Sequence, residues 1–196
     1  MESKSNIKRE LILDKAKQVF IRIGFNRVTM KDIIEECGIS RGGIYLYFSS
    51  VDEIFVEVVK RHNHTKIEEI KGKIEKSTDF HELIEGFFSE QKERLLNMDQ
   101  SLFAAMIEFC FRHKTQSDRD FYTEQFTNNK NIVLELLRFG ISSNSIHTKN
   151  IDCLANSIMY ILEGLRSKAV SSGVSEELAE EQLDICKRMI CSELFN

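Results

Sequence analysis

The sequence predicts an all-α protein, and three observations carry that expectation. No proline and only nine glycines occur in 196 residues, so little interrupts a helix. Apolar residues recur at helical spacing almost from end to end. Hydrophobic residues make up 42% of the chain and charged residues 30%, which excludes a disordered polymer and provides for a core. About nine helices are expected.

Taken in order, the first helix carries the stripe Ile7, Leu11, Ile12, Ala16, Val19, Phe20 and Ile23, and Gly24 suits a left-handed cap. Thr29 caps a second, short helix, with Asp32 completing a capping box and Val28 and Ile33 a hydrophobic staple. Its stripe is Met30, Ile33, Ile34 and Cys37, and Gly38 ends it. Ser40 caps a third helix reaching about Phe48, stapled by Ile39 and Ile44. Ser50 and Glu53 form another capping box, opening a longer helix to about Lys71 before Gly72. Two short helices joined by a tight glycine turn are the local plan of a helix-turn-helix.

Beyond it, helices are expected over about 79–97 (cap Asp79, with Glu82), 99–114, 117–139 (Ser117 with Asp120, Gly140 as stop), 150–172 (ending at Gly173) and 175–194. In the last, Glu176 and Glu177 suit the positive end of the helix dipole.

The net charge of −4 hides an asymmetry. Residues 1–51 hold nine Lys/Arg against six Asp/Glu, a balance of +3, and the remaining 145 residues carry −7. A mildly basic head on an acidic body hints at an anionic partner for the head. No apolar run approaches the roughly 18 residues of a membrane span. The opening MESKSNIKRE lacks a secretory signal. Five cysteines with no CxxC pair read as reduced thiols of a cytoplasmic protein.

ISRGGIYLYF (39–48) is the most informative stretch. With Ser40 as cap, Ile44 and Phe48 point inward and leave Arg41, Gly42, Gly43, Tyr45 and Tyr47 on or near the outer face. Arg41 can fork onto a guanine edge or clamp a phosphate. The two glycines weaken the helix by roughly 1 kcal/mol each relative to alanine but let backbone approach a sugar-phosphate chain. The hydroxyls of Ser40, Tyr45 and Tyr47 suit phosphate oxygens, and the helix start at Thr29 offers a second phosphate site. Two plainer readings stay open: Tyr45 can close the small core, and Gly42-Gly43 can be a turn.

Residues 7–60 resemble the N-terminal domain of the TetR family of transcriptional regulators. The resemblance lies in the helix ending at Phe20 and Gly24, then Val28-Thr29, Ile33-Ile34-Glu35-Glu36-Cys37-Gly38-Ile39-Ser40, Gly43-Ile44-Tyr45-Leu46-Tyr47-Phe48 and Asp52-Glu53-Ile54. It implies a helix-turn-helix DNA-binding domain with a connecting fourth helix over 7–67 and a helical ligand-binding and dimerisation domain over 68–196. By position it puts Thr29, Ser40, Gly43, Tyr45 and Tyr47 at phosphates and Lys31, Arg41 and Gly42 at bases. The chain departs from the family pattern at Met30, where a second threonine is common, and at Val51, where a lysine is common. Losing that cation removes one phosphate contact, so that binding either weakens or relies on Arg27, Lys4, Lys8 and Arg9.

In the body, Ile151, Leu154, Ala155, Ile158, Ile161, Leu162, Leu165 and Ala169 make a wide apolar stripe, as do Leu178, Leu183, Ile185, Cys186, Met189, Ile190 and Leu194. The resemblance implies that these last two helices form a four-helix homodimer interface. An ordinary intramolecular core is the alternative. A two-fold dimer would read a near-palindromic double-stranded DNA operator. Eight of the fourteen phenylalanines lie between 80 and 126. They read either as core filling or as an aromatic-lined cavity for a small apolar or aromatic effector, for which Phe88, Gln91, Phe103, Met106, Cys110 and Phe126 are the candidate lining.

No zinc spacing exists among His62, His64, His81, His113 and His147, nor between Cys186 and Cys191. No nucleophile elbow, phosphate-binding glycine loop or HExxH occurs. No metal, cofactor or catalysis is therefore expected, and the function expected is a ligand-released repressor. A small helical ligand-binding protein or enzyme using the phenylalanine-rich region is the alternative.

Overall fold

The computed structural model describes residues 4–77, 79–98 and 101–191. Among them it is all-helical: α1 (Lys4–Ile23), a 3-10 turn (Phe25–Arg27), α2 (Met30–Cys37), α3 (Arg41–Tyr45), α4 (Val51–Lys76), α5 (Phe80–Leu96), α6 (Leu102–Arg112), α7 (Gln116–Ser142), α8 (Ile151–Ser172) and α9 (Glu176–Cys191). The chain forms two compact units. The first comprises the described residues of 1–62 and 99–120, the second those of 63–98 and 121–196. Helix α4 runs unbroken through the boundary expected after residue 67, and α6 packs with the first unit.

The first unit is held by rings. Phe20 meets Phe55 edge-on at 4.8 Å, Phe25 lies 4.8 Å from Phe55 and 5.0 Å from Phe109, and Phe55 stacks on Phe109 at 5.0 Å. Each of the four is at most 2% exposed. His113, at the end of α6, stacks on Phe109 at 4.1 Å, and its Nε2 lies 3.3 Å from the Asp52 carboxylate at the start of α4. Burying each of these four phenylalanines contributes about 1.5–3 kcal/mol.

Local signals set the short helices. The Thr29 hydroxyl accepts from the Asp32 N–H while the Asp32 carboxylate accepts from the Thr29 N–H at 2.8 Å, a complete capping box. Gly38 closes α2 in the left-handed region, at φ 63°. Gly24 also has positive φ (76°), but with ψ 161° it is an extended joint into the 3-10 turn rather than a helical cap. Before α4, the Ser50 hydroxyl accepts from the Glu53 N–H, while Glu53 reaches back to the Ser49 N–H and hydroxyl instead of completing a box with Ser50.

In the second unit α5 packs on α8 and α9, and α8 on α9. Phe80, Phe88, Leu137, Ile158, Leu162, Ala179 and Cys186 are buried in this unit. Burial pushes the Cys186 thiol up to about 12, which leaves it inert. Gln91 is buried but satisfied: its Oε1 accepts from Arg166 Nη2 at 2.9 Å, and Arg166 also pairs with Glu163. The Asn63 amide likewise donates to Gln125 at 2.9 Å.

Three further sequence expectations are corrected. Gly72 does not end α4, which continues to Lys76. Gly140 does not end α7 but packs against Phe80, where an added Cβ would lie 2.6 Å from the ring, and the helix goes on to Ser142. The cap of α7 is Thr115 with Asp118, not Ser117 with Asp120. The expected helix start at residue 99 and the Leu194 position lie outside the described residues.

Candidate nucleic-acid interface

The segment after Ser40 folds as a single turn and a half of helix. Ser40 Oγ accepts from the Gly43 N–H at 3.1 Å, and the Gly43 and Ile44 N–H groups donate to the Ser40 carbonyl. The helix stops at Tyr45, shorter than the span to Phe48 expected, and the chain turns through Leu46 and Tyr47. Ile44 is 0% and Phe48 1% exposed, so the inward pair is as the spacing predicts. Those two anchors fix which side chains face out.

Arg41 is exposed, with its guanidinium 5.9 Å over the Tyr45 ring, a loose cation–π contact. Among the described residues no carboxylate pairs with Arg41. Tyr45 is 45% exposed and does not close the core, while Tyr47 is half-buried. Gly42 lies in the open, with nothing within 4 Å of where a Cβ would stand, so backbone approach from outside is unobstructed. A Cβ on Gly43 would stand 3.1 Å from Ser40 Oγ, the cap that starts the helix.

On α2, Thr29 and Lys31 are exposed. The Thr29 hydroxyl donates to Asp32 at 2.6 Å, and Lys31 lies 3.7 Å from Glu35 one turn on. The Thr29 hydrogen bonds hold the Asp32 carboxyl below its usual range, so a fixed negative charge stands at this helix start. Phosphate anchoring there meets that charge. Arg22 and Lys15 both lean on Glu36, the first at 2.8 Å, and the Arg22 hydrogen bond keeps that carboxyl low as well. Of the further cations expected to help, Arg9 is committed to Glu57 at 2.9 Å and to the Phe48 ring at 5.1 Å. Lys8 and Arg27 are exposed, and the Lys4 side chain lies outside the described residues.

All eight residues expected at DNA thus belong to the first unit. Sequence reasoning missed Leu46, which is 82% exposed between the buried anchors Ile44 and Phe48. The signal was available in the helix expected to reach Phe48, where a residue two positions from each of two inward anchors points the opposite way.

The six residues expected at an effector divide between the two units. Phe88, Gln91 and Phe126 belong to the second unit, Phe103, Met106 and Cys110 to the first. Of the eight phenylalanines between 80 and 126, Phe109 serves the first unit's core and Phe111 is 72% exposed. The second unit has an open cleft of about 350 Å³ lined by Ile70, Lys73, Lys76, Ser77, Leu83 and Phe87, none of them an expected residue. Among the described residues no His/Cys/Asp/Glu group could hold a metal, and no helix is long and apolar enough to cross a membrane.

Comparison with known proteins bears on the same segment. The family model described as bacterial regulatory proteins, tetR family, matches residues 12–58. The chain is 36% identical over 117 residues to the uncharacterised HTH-type transcriptional regulator YfiR of Bacillus subtilis, covering 58% of this chain and 55% of that protein. It is 40% identical over 53 residues to the HTH-type transcriptional repressor BepR of Brucella suis, covering 27% of this chain and 25% of that one. The matches thus span about half or less of these relatives. The structure of a transcriptional regulator FadR from Bacillus subtilis in complex with stearoyl-CoA superposes with a TM-score of 0.71 at 19% identity, over 92% of this chain and 97% of that one, a likeness of fold.

Proposed function

We propose that the chain, whose residues 12–58 match the TetR family of bacterial regulatory proteins, is a cytoplasmic, sequence-specific DNA-binding repressor acting as a homodimer. The observation that carries the reading is the outer side of α3: an exposed, unpaired Arg41 beside Gly42 and Tyr45, on a backbone held by the buried Ile44 and Phe48. Arg41, Gly42 and Lys31 read bases, while Ser40, Gly43, Tyr45, Tyr47 and Thr29 meet phosphates. Phosphate contacts set the register and base contacts the sequence. The repressor named among the relatives supports repression over activation.

Two copies pair through α8 and α9 and present two heads to one near-palindromic operator. Packing within the chain already buries Leu154, Ala155, Ile158, Leu162 and Leu165, so the pairing surface is what remains on α8. There Tyr160 is 67% exposed and Gly164 has open space around it, which permits close helix approach. A small apolar or aromatic effector binds the helical body and favours the conformation with lower operator affinity. The stearoyl-CoA complex of the neighbouring fold supports that class.

Selection of duplexes from a random library by the full chain tests the reading. Enrichment of a near-palindromic sequence bound by a dimer is expected. Failure to enrich any sequence contradicts it. In light scattering, Gly164→Arg is expected to turn dimer into monomer; a dimer unchanged by that variant places the interface elsewhere.

A further inference from the structure

We infer that Leu46 is a specificity-determining residue that packs on the C5-methyl group of a thymine in the major groove. The inference rests on the DNA-reading role proposed for the segment around α3. At 82% exposure Leu46 is the most exposed of the large hydrophobic residues recorded in the described chain, ahead of Phe111 at 72%. A lone exposed leucine is ordinary, but the setting of this one is not. Its backbone is pinned from both sides: the N–H groups of Tyr47 and Phe48 donate to the Ile44 carbonyl at 2.9 and 3.1 Å, and Ile44 and Phe48 are buried. Placing the side chain against a partner therefore costs only its own rotamer freedom.

Its surroundings suit a polyanion. Residues 40–51 contain no Asp or Glu in a chain that has 31 of them. The exposed side chains of the same segment include Arg41 and the 45% exposed Tyr45. Leucine has no donor or acceptor, so it adds nothing at a phosphate or at the hydrogen-bonding edge of a base. The apolar feature that a major groove offers is the thymine methyl, absent from the other three bases. An apolar side chain carried into the groove beside an arginine thus gains only where a thymine stands, and loses water without return elsewhere.

The test uses the duplex selected by the full chain. Each thymine is replaced singly by uracil, which keeps every hydrogen-bonding group and removes only the methyl. Affinity is measured for the wild type, Leu46→Ala and Leu46→Met. One thymine per half-site is expected whose replacement weakens the wild type about fourfold. The same replacement leaves Leu46→Ala unchanged and still weakens Leu46→Met, whose apolar reach is kept. If every uracil replacement affects wild type and Leu46→Ala alike while sequence-selective binding persists, Leu46 does not read a methyl and the DNA-reading role stands. If the wild-type chain selects no duplex at all, the DNA-reading role fails and this inference with it.

Discussion

Glu108 on α6 accepts a hydrogen bond from the Asn26 N–H at 2.8 Å, across 82 residues of sequence. The same carboxylate sits where a side chain on Gly24 would go, 2.7 Å from an added Cβ. One acid on α6 therefore closes over the joint between α1 and the 3-10 turn that leads into α2.

Gly24→Ala is expected to destabilise the first unit by about 1–3 kcal/mol, because φ 76° with ψ 161° is backbone that glycine alone adopts readily. The variant Glu108→Ala removes the close contact but not the backbone strain. Gly24→Ala made in that background should recover only part of the loss. Urea unfolding of the four proteins checks this, and full recovery would show that crowding, not conformation, demands the glycine.

Two other glycines are expected to respond with opposite signs. Gly140→Ala drives a methyl against the Phe80 ring and should cost about 1–3 kcal/mol. Gly72→Ala, within α4 and with nothing within 4 Å, should stabilise by about 0.5–1 kcal/mol through helix propensity. Thermal melting of the two variants against the wild type decides it; the same sign for both would contradict the packing described.

Acid should loosen the first unit through its caps. Hydrogen bonds from the Thr29 hydroxyl and N–H hold Asp32 below its ordinary 3.8, and those from the Ser49 N–H and hydroxyl hold Glu53 below 4.5. A carboxylate lowered on folding stabilises fully above its ordinary pKa, and the contribution is lost as pH falls through the lower folded value. Melting temperature is therefore expected to fall below about pH 4 in part through these two groups. Asp32→Ala lowers it near neutrality and flattens the acid limb; an acid limb of unchanged steepness in the Asp32→Ala/Glu53→Ala variant would refute the assignment.

What was legible in the sequence was what neighbouring residues decide. The Thr29–Asp32 box joins residues three apart, and the four-residue spacing of Ile44 and Phe48 marks both as inward, although α3 ends at Tyr45 before Phe48 is reached. The failures at Gly140, at the cap of α7 and at α6 involve distant partners or equivalent local choices. Gly140 reads as a stop until Phe80, sixty residues earlier, is seen filling the space that a Cβ would take. Thr115 and Ser117 are equally good caps with equally placed acids, and spacing alone does not choose between them. The attachment of α6 to the first unit depends on Phe25 and Phe55 meeting Phe109, a contact between segments with no shared periodicity. At the interface, the hydrogen-bonding residues drew notice by chemistry, whereas Leu46 has only its direction to mark it.

The binding of the selected duplex by wild type and Arg41→Ala, over a range of salt, tests the central claim most directly. Loss of a bidentate guanine contact should cost about 1–3 kcal/mol, relax preference at one base step in each half-site, and leave non-selective binding nearly intact. Wild-type affinity should also fall steeply with salt, since phosphates anchor the head. Sequence preference that survives unchanged in the Arg41→Ala/Tyr47→Ala double variant would contradict the assignment of α3 as the reading element.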